Sequence, residues 1–148
     1  MNNVLVLGLG LHGGAIGTIE WLAKQACLPS RQGAIITVSD TKTAEQLASS
    51  VEKLKDIPNI TFHFGNQDEI DLSGIDMVVR NPAVPRKAPI IERARVAGIP
   101  VEMDSSLFFE YCQSKDIIGI TGSKGKTTTS RAIAAVLTAI NPKTVAVG

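Results

Sequence analysis

Short runs of continuous apolar residues alternate along this chain with stretches in which apolar residues recur every three or four positions. Asn3-Val4-Leu5-Val6-Leu7 is a continuous apolar run, followed by glycines and then by residues 15–23 at helical spacing. The pattern repeats: residues 34–39 read as a second buried strand, 44–54 as an amphipathic helix and 60–64 as a third, alternating strand. A fourth strand at 76–80 runs into the breaker-rich Asn81-Pro82-Ala83-Val84-Pro85. Residues 90–97 then form a short helix stopped by Gly98, residues 100–103 a fifth strand, and 104–112 a helix with Asp104 or Ser105 available to cap it. Strands that alternate with helices in this way predict an α/β fold, a Rossmann-like, doubly wound parallel sheet. Ile19, Trp21 and Leu22 read as the helix face packed on that sheet.

A polar connection, Gln113-Ser114-Lys115-Asp116, separates this pattern from a new one. Asp116-Ile117-Ile118 predicts a strand, a glycine-rich loop follows, a helix covers 131–140, and 143–147 predicts a further strand. The expected organisation is a first domain over 1–114 and the first part of a P-loop ATPase domain over 115–148. Internal repeats and low-complexity tracts are absent from the sequence.

Composition narrows the class. In 148 residues, 44% are hydrophobic and 20% charged, which is ordinary for a soluble α/β chain and long enough for a real core. A net charge of +1 leaves no electrostatic footprint for nucleic acid or a membrane surface. The apolar runs are strand-sized, well short of the roughly 20 residues that span a bilayer, and the Met1-Asn2-Asn3 start lacks the basic-then-apolar order of a signal peptide. A cytoplasmic location is expected. Cys27 and Cys112 lack zinc or redox spacing and read as reduced thiols.

Two glycine-rich segments carry the chemistry. In residues 119–130, Thr121-Gly122-Ser123-Lys124-Gly125-Lys126-Thr127-Thr128 stands between a predicted strand and a predicted helix. Glycine lets backbone N–H groups converge on phosphate oxygens, and the helix start adds its dipole. Lys126 would reach the β/γ-phosphates and the Thr127 hydroxyl would hold a magnesium ion, so the expected ligand is Mg-ATP. The match to G-x-x-x-x-G-K-[ST] is off by one, because Gly119 lies one residue too early. The second segment, Gly8-Leu9-Gly10-Leu11-His12-Gly13, satisfies G-x-G-x-x-G directly after the first strand, with Asp40 at the end of the second. That fingerprint fits a dinucleotide such as NAD, and equally the diphosphate of UDP, since both present the same oxygens.

The loop around Gly125 and Lys126 resembles the ATP loop of the Mur ligase family, T-G-[TS]-x-G-K-[ST]-[TS], which commonly lacks the first glycine. Within that family, the first glycine segment, the pair Asp40-Thr41 and the turn Asn81-Pro82-Ala83-Val84 are most similar to the branch that adds D-glutamate. His12 and Ala83 depart from it, standing where a small hydroxyl residue and a glycine are usual. The resemblance implies an ATP-dependent amide ligase of peptidoglycan precursor synthesis. Its partners would be UDP-N-acetylmuramoyl-L-alanine and D-glutamate, joined through an acyl phosphate. By transfer, Leu11 and His12 would face the diphosphate and Asp40 and Thr41 the uracil, with Gly10 and Asn81 also binding the substrate. Gly122, Ser123, Lys124, Gly125, Lys126, Thr127 and Thr128 would bind ATP, with Lys126 and Thr127 catalytic and Thr127 on Mg2+. Lys42 or Arg80 would meet a phosphate or carboxylate. The family's metal-binding Glu and His and its modified Lys lie downstream, so the 148 residues alone are expected to be inactive, and their exposed sheet edges to favour a dimer. Two alternatives stay open, a self-contained NAD(H)-binding regulatory module and a family member adding another amino acid; a small P-loop ATPase is disfavoured, because no Walker-B-like Asp follows position 130.

Overall fold

The computed structural model describes residues 3–11, 14–24 and 34–145. It divides into two compact units, 1–111 and 112–148.

In the first unit, β1 (Asn3–Leu7), β2 (Ile35–Asp40), β3 (Ile60–Phe64), β4 (Met77–Arg80) and β5 (Val101–Glu102) form one sheet in the order β3-β2-β1-β4-β5. Every pairing is parallel. The continuous apolar runs explain this arrangement, because a strand covered on both faces needs no alternation. Residues of β1 point alternately into two cores. Val4 and Val6 pack with Ile19 and Leu22 of α1 (Ile16–Lys24), while Leu5 and Leu7 pack with Ile90, Ile91 and Ala94 of α3 (Pro89–Val96). Leu107 of α4 (Asp104–Tyr111) joins the first core, and the Trp21 and Tyr111 rings meet edge to face at 5.1 Å. Trp21 is thus a packing residue, as its helical spacing predicts.

Local chemistry sets the boundaries. Pro89 starts α3 at a position whose N–H has no helical partner, and Gly98 ends it, with the Ile99 N–H reaching back to the Ala94 carbonyl at 2.9 Å. The helix expected over 44–54 is shorter. A first turn forms over 44–47, where the Thr43 N–H donates to the Gln46 side chain at 3.1 Å, and α2 proper spans Ala48–Glu52.

In the second unit, α5 (Lys126–Ile140) is one unbroken helix. The strand expected at 116–118 is absent: these residues form neither helix nor strand, and Ile117 and Ile118 are exposed. The segment 143–145 is likewise not a strand, and residues 146–148 lie outside the described residues. A strand requires a neighbour to take up its backbone N–H and C=O groups, and among the described residues of this unit there is none. Among the described residues, no helix is long and apolar enough to cross a membrane.

Leu5 is fully buried on the central strand, so Leu5→Ala should destabilise the first unit by roughly 2–5 kcal/mol. Urea denaturation followed through the single tryptophan checks this; a loss under 1 kcal/mol, on the scale of about one buried methylene, would mean the site collapses around the cavity.

Candidate functional site

The sheet order places β1 between β2 and β4, so chain connections leave the carboxyl end of β1 and of β4 in opposite directions. In open parallel sheets that divergence opens a crevice beyond the strand ends where ligands bind. Here a narrow cleft is lined by Val6, Gly14, Ala15, Thr18, Val79, Arg80, Asn81, Pro82 and Asp104.

The turn after β1 forms one wall. Gly8 sits at φ +86°, and a Cβ there would lie 2.9 Å from both Asn81 Cβ and Val84 Cγ2, so the β1 turn and the β4 turn touch at a point that only glycine permits. The Gly8 N–H donates to the Ser39 carbonyl at 2.7 Å, and Leu9 is fully buried. Gly10, at φ +77°, is held from two sides. Its N–H donates to Asp40 Oδ2 at 3.0 Å, and its carbonyl accepts from Ser50 Oγ at 3.1 Å. The Ala15 N–H, reaching the Leu9 carbonyl at 3.4 Å, closes the turn.

Asp40 ends β2 and is only 4% exposed. Its other oxygen, Oδ1, accepts the Lys42 N–H at 3.0 Å and has the Lys42 ammonium at 3.8 Å. Two backbone amides and a cation therefore compensate this buried carboxylate. Thr41 beside it is exposed, and at the rim the Thr43 hydroxyl, followed by Glu45's own backbone amide, holds the Glu45 carboxyl below its usual range.

The turn after β4 forms the other wall. The Asn81 N–H donates to the Leu7 carbonyl at 2.8 Å, and Asn81 Oδ1 accepts the Ala83 N–H at 3.0 Å, so this side chain shapes its own turn. Arg80 is buried. Its guanidinium donates to the Val84 carbonyl at 3.0 Å and to Met103 Sδ at 2.8 Å, and among the described residues no carboxylate lies within ion-pair distance.

The structure thus brings Gly10, Asp40 and, through Gly8, Asn81 together, and leaves Leu11 half exposed at the rim. His12 lies outside the described residues. Sequence reading missed Ser50 and gave Arg80 a ligand role without its two partners. Ser50 could have been found: it is a hydroxyl on the buried face of α2, between Leu47 and Leu54 at helical spacing.

In the second unit, Gly122 to Gly125 form an exposed loop that runs into α5, whose first turn carries Lys126, Thr127 and Thr128. Gly125 caps the helix at φ +78°, and the first helical bond is Thr129 N–H to the Gly125 carbonyl at 2.9 Å. The N–H groups of Lys126, Thr127 and Thr128 precede it and have no helical acceptor. Lys126 Nζ lies 2.6 Å from the Gly122 carbonyl, folded over its own loop. This donor set of first-turn amides, one ammonium and the Thr127 hydroxyl fits a polyphosphate with its magnesium. Among the described residues no cluster of three His, Cys, Asp or Glu could hold a metal.

A five-stranded, all-parallel sheet with a glycine turn at its switch point defines a Rossmann-like α/β domain. The chain belongs to the Mur ligase family: residues 2–102 match the model described as Mur ligase MurD-like, N-terminal domain. It is 40% identical over 144 residues to a UDP-N-acetylmuramoylalanine--D-glutamate ligase of Roseiflexus sp. (strain RS-1), covering 97% of this chain and 29% of that protein. Proteins of the same name from Koribacter versatilis and Treponema pallidum are 38% and 33% identical, over 98% and 93% of this chain. The chain therefore spans less than a third of the length of these curated relatives, at 24–30%. Its fold is also similar to that of UDP-N-acetylmuramate-alanine ligase MurC from Thermotoga maritima, with a TM-score of 0.54 and 28% identity over 95% of this chain and 30% of that one.

Gly8→Ala should destabilise the first unit by more than about 1 kcal/mol, because the new methyl meets the β4 turn in a backbone region that penalises it. Gly17→Ala in α1, where an added methyl meets nothing within 4 Å, should instead stabilise by about 0.5–1 kcal/mol. Chemical denaturation of both variants decides the pair, and effects of equal sign would contradict the close approach of the two turns.

Proposed function

We propose that residues 1–114 bind the UDP end of UDP-N-acetylmuramoyl-L-alanine, and that the chain belongs to an ATP-dependent ligase that joins D-glutamate to it. The observation that carries this reading is the glycine turn, pinned by Asp40, at the switch point of a sheet whose residues match the MurD-like family. Leu11 presents its backbone amide to the diphosphate, Gly10 lets the chain approach it closely with its own N–H held by Asp40, and His12, next in sequence, belongs to the same set. Asp40 and Thr41 border the uracil, and Asn81 faces the sugar side of the cleft.

Residues 115–148 contribute the start of the ATP-binding domain. Gly122, Ser123, Lys124, Gly125, Lys126, Thr127 and Thr128 would hold the triphosphate, with Thr127 on magnesium. Bound Mg-ATP supplies the phosphoryl group that turns a substrate carboxylate into an acyl phosphate. For its part the chain offers orientation and charge: amides of the first turn of α5 fix the phosphates, and the Lys126 ammonium exchanges the Gly122 carbonyl for a phosphate oxygen. The reading carries a cytoplasmic location with it, since ATP is consumed there.

Addition of another amino acid is the second reading, favoured by the 28% identity to the Thermotoga UDP-N-acetylmuramate-alanine ligase. The relatives at 33–40% identity favour D-glutamate.

Calorimetry on this polypeptide should show binding of UDP-N-acetylmuramoyl-L-alanine and none of NADH, with Asp40→Ala at least about tenfold weaker, one lost charge-assisted hydrogen bond being worth about that much. Preference for NADH would overturn the reading. Lys126→Ala should weaken ATP binding by a similar factor and leave the UDP ligand unaffected; an equal effect on both would remove the division of labour.

A further inference from the structure

We propose that Ser50 is a positioning residue of the nucleotide diphosphate site, acting through the peptide that joins Gly10 to Leu11. The inference rests on the UDP-binding reading and adds to it a residue that touches no ligand. Ser50 is 2% exposed, and its hydroxyl donates to the Gly10 carbonyl at 3.1 Å across forty residues of sequence. A hydroxyl buried on an apolar helix face is costly without a partner, and this one has a single backbone oxygen to satisfy it.

The choice of oxygen matters because a trans peptide is planar, with its C=O and N–H pointing in opposite directions. Holding the Gly10 carbonyl toward α2 turns the Leu11 N–H away from α2, toward the open rim where Leu11 is 47% exposed. Among the described residues that N–H has no hydrogen-bond partner. On the other side of the same glycine, the Gly10 N–H is taken up by Asp40. The two clamps divide the turn's amides: Asp40 consumes one and Ser50 aims the next at phosphate. Gly10, at φ +77° and with no side chain, is the residue at which this peptide flips most easily, so an external restraint has an effect here.

The test is a pair of titrations followed by amide NMR, with UDP and with uridine as probes. In the unaltered chain, UDP should shift the Leu11 amide resonance and uridine should not. Ser50→Ala should weaken UDP about tenfold and leave uridine within twofold, while Ser50→Thr, which keeps the hydroxyl, should restore most of the UDP affinity. Equal weakening of both probes by Ser50→Ala marks a merely structural serine and overturns the inference. An unmoved Leu11 amide in the unaltered chain overturns it as well, without reference to any variant. Failure of the unaltered chain to bind either probe would instead bring down the UDP reading, and this inference with it.

Discussion

Everything at the candidate site depends on β1 having a parallel neighbour on each side. Because β2 and β4 both pair with it, β1 is buried on two faces and two edges, and its carboxyl end is the one place where the chain can open toward solvent without losing core. The chain must turn there in the space between two neighbouring connections. Gly8 meets that constraint by packing its bare Cα against Asn81 and Val84, and the following glycine peptide is then fastened to β2 and α2. Sheet order, turn composition and the placement of Asp40 are three views of one geometric requirement.

Much of this was legible in the sequence for a physical reason. A strand buried on both faces has to be apolar throughout, so 3–7, 34–39 and 76–80 announce themselves, and helices covering them must carry apolar residues at a period near 3.6. Trp21 was readable as core on the same ground. The glycine pattern between β1 and α1 marked the turn that walls the candidate cleft, because a tight turn at a strand end has few chemical solutions. Hidden from sequence were the contacts that join distant segments. Neither Ser50 with Gly10 nor Arg80 with Met103 is encoded in any local spacing.

The second unit illustrates the opposite case. Ile117 and Ile118 have the composition of a strand, yet they remain outside any ladder, because strand formation is a property of a pair and not of a segment. A helix satisfies its own backbone, so α5 forms over all of Lys126–Ile140 although none of its residues is buried. Local hydrogen bonding and long-range pairing thus separate cleanly within 37 residues of one unit.

Arg80 is an unusual occupant for the end of a central strand. Its guanidinium spans from the Val84 carbonyl to the Met103 sulfur, two acceptors nineteen residues apart, and the planar fork reaches both at once. A lysine has one donor centre and would have to abandon one of them. Side-chain identity is therefore coupled at 80 and 103 but not at 84, where the acceptor is a main-chain carbonyl that any residue supplies: a short side chain at 80 would leave the Met103 sulfur without its donor and release the β4 turn from the guanidinium that braces it.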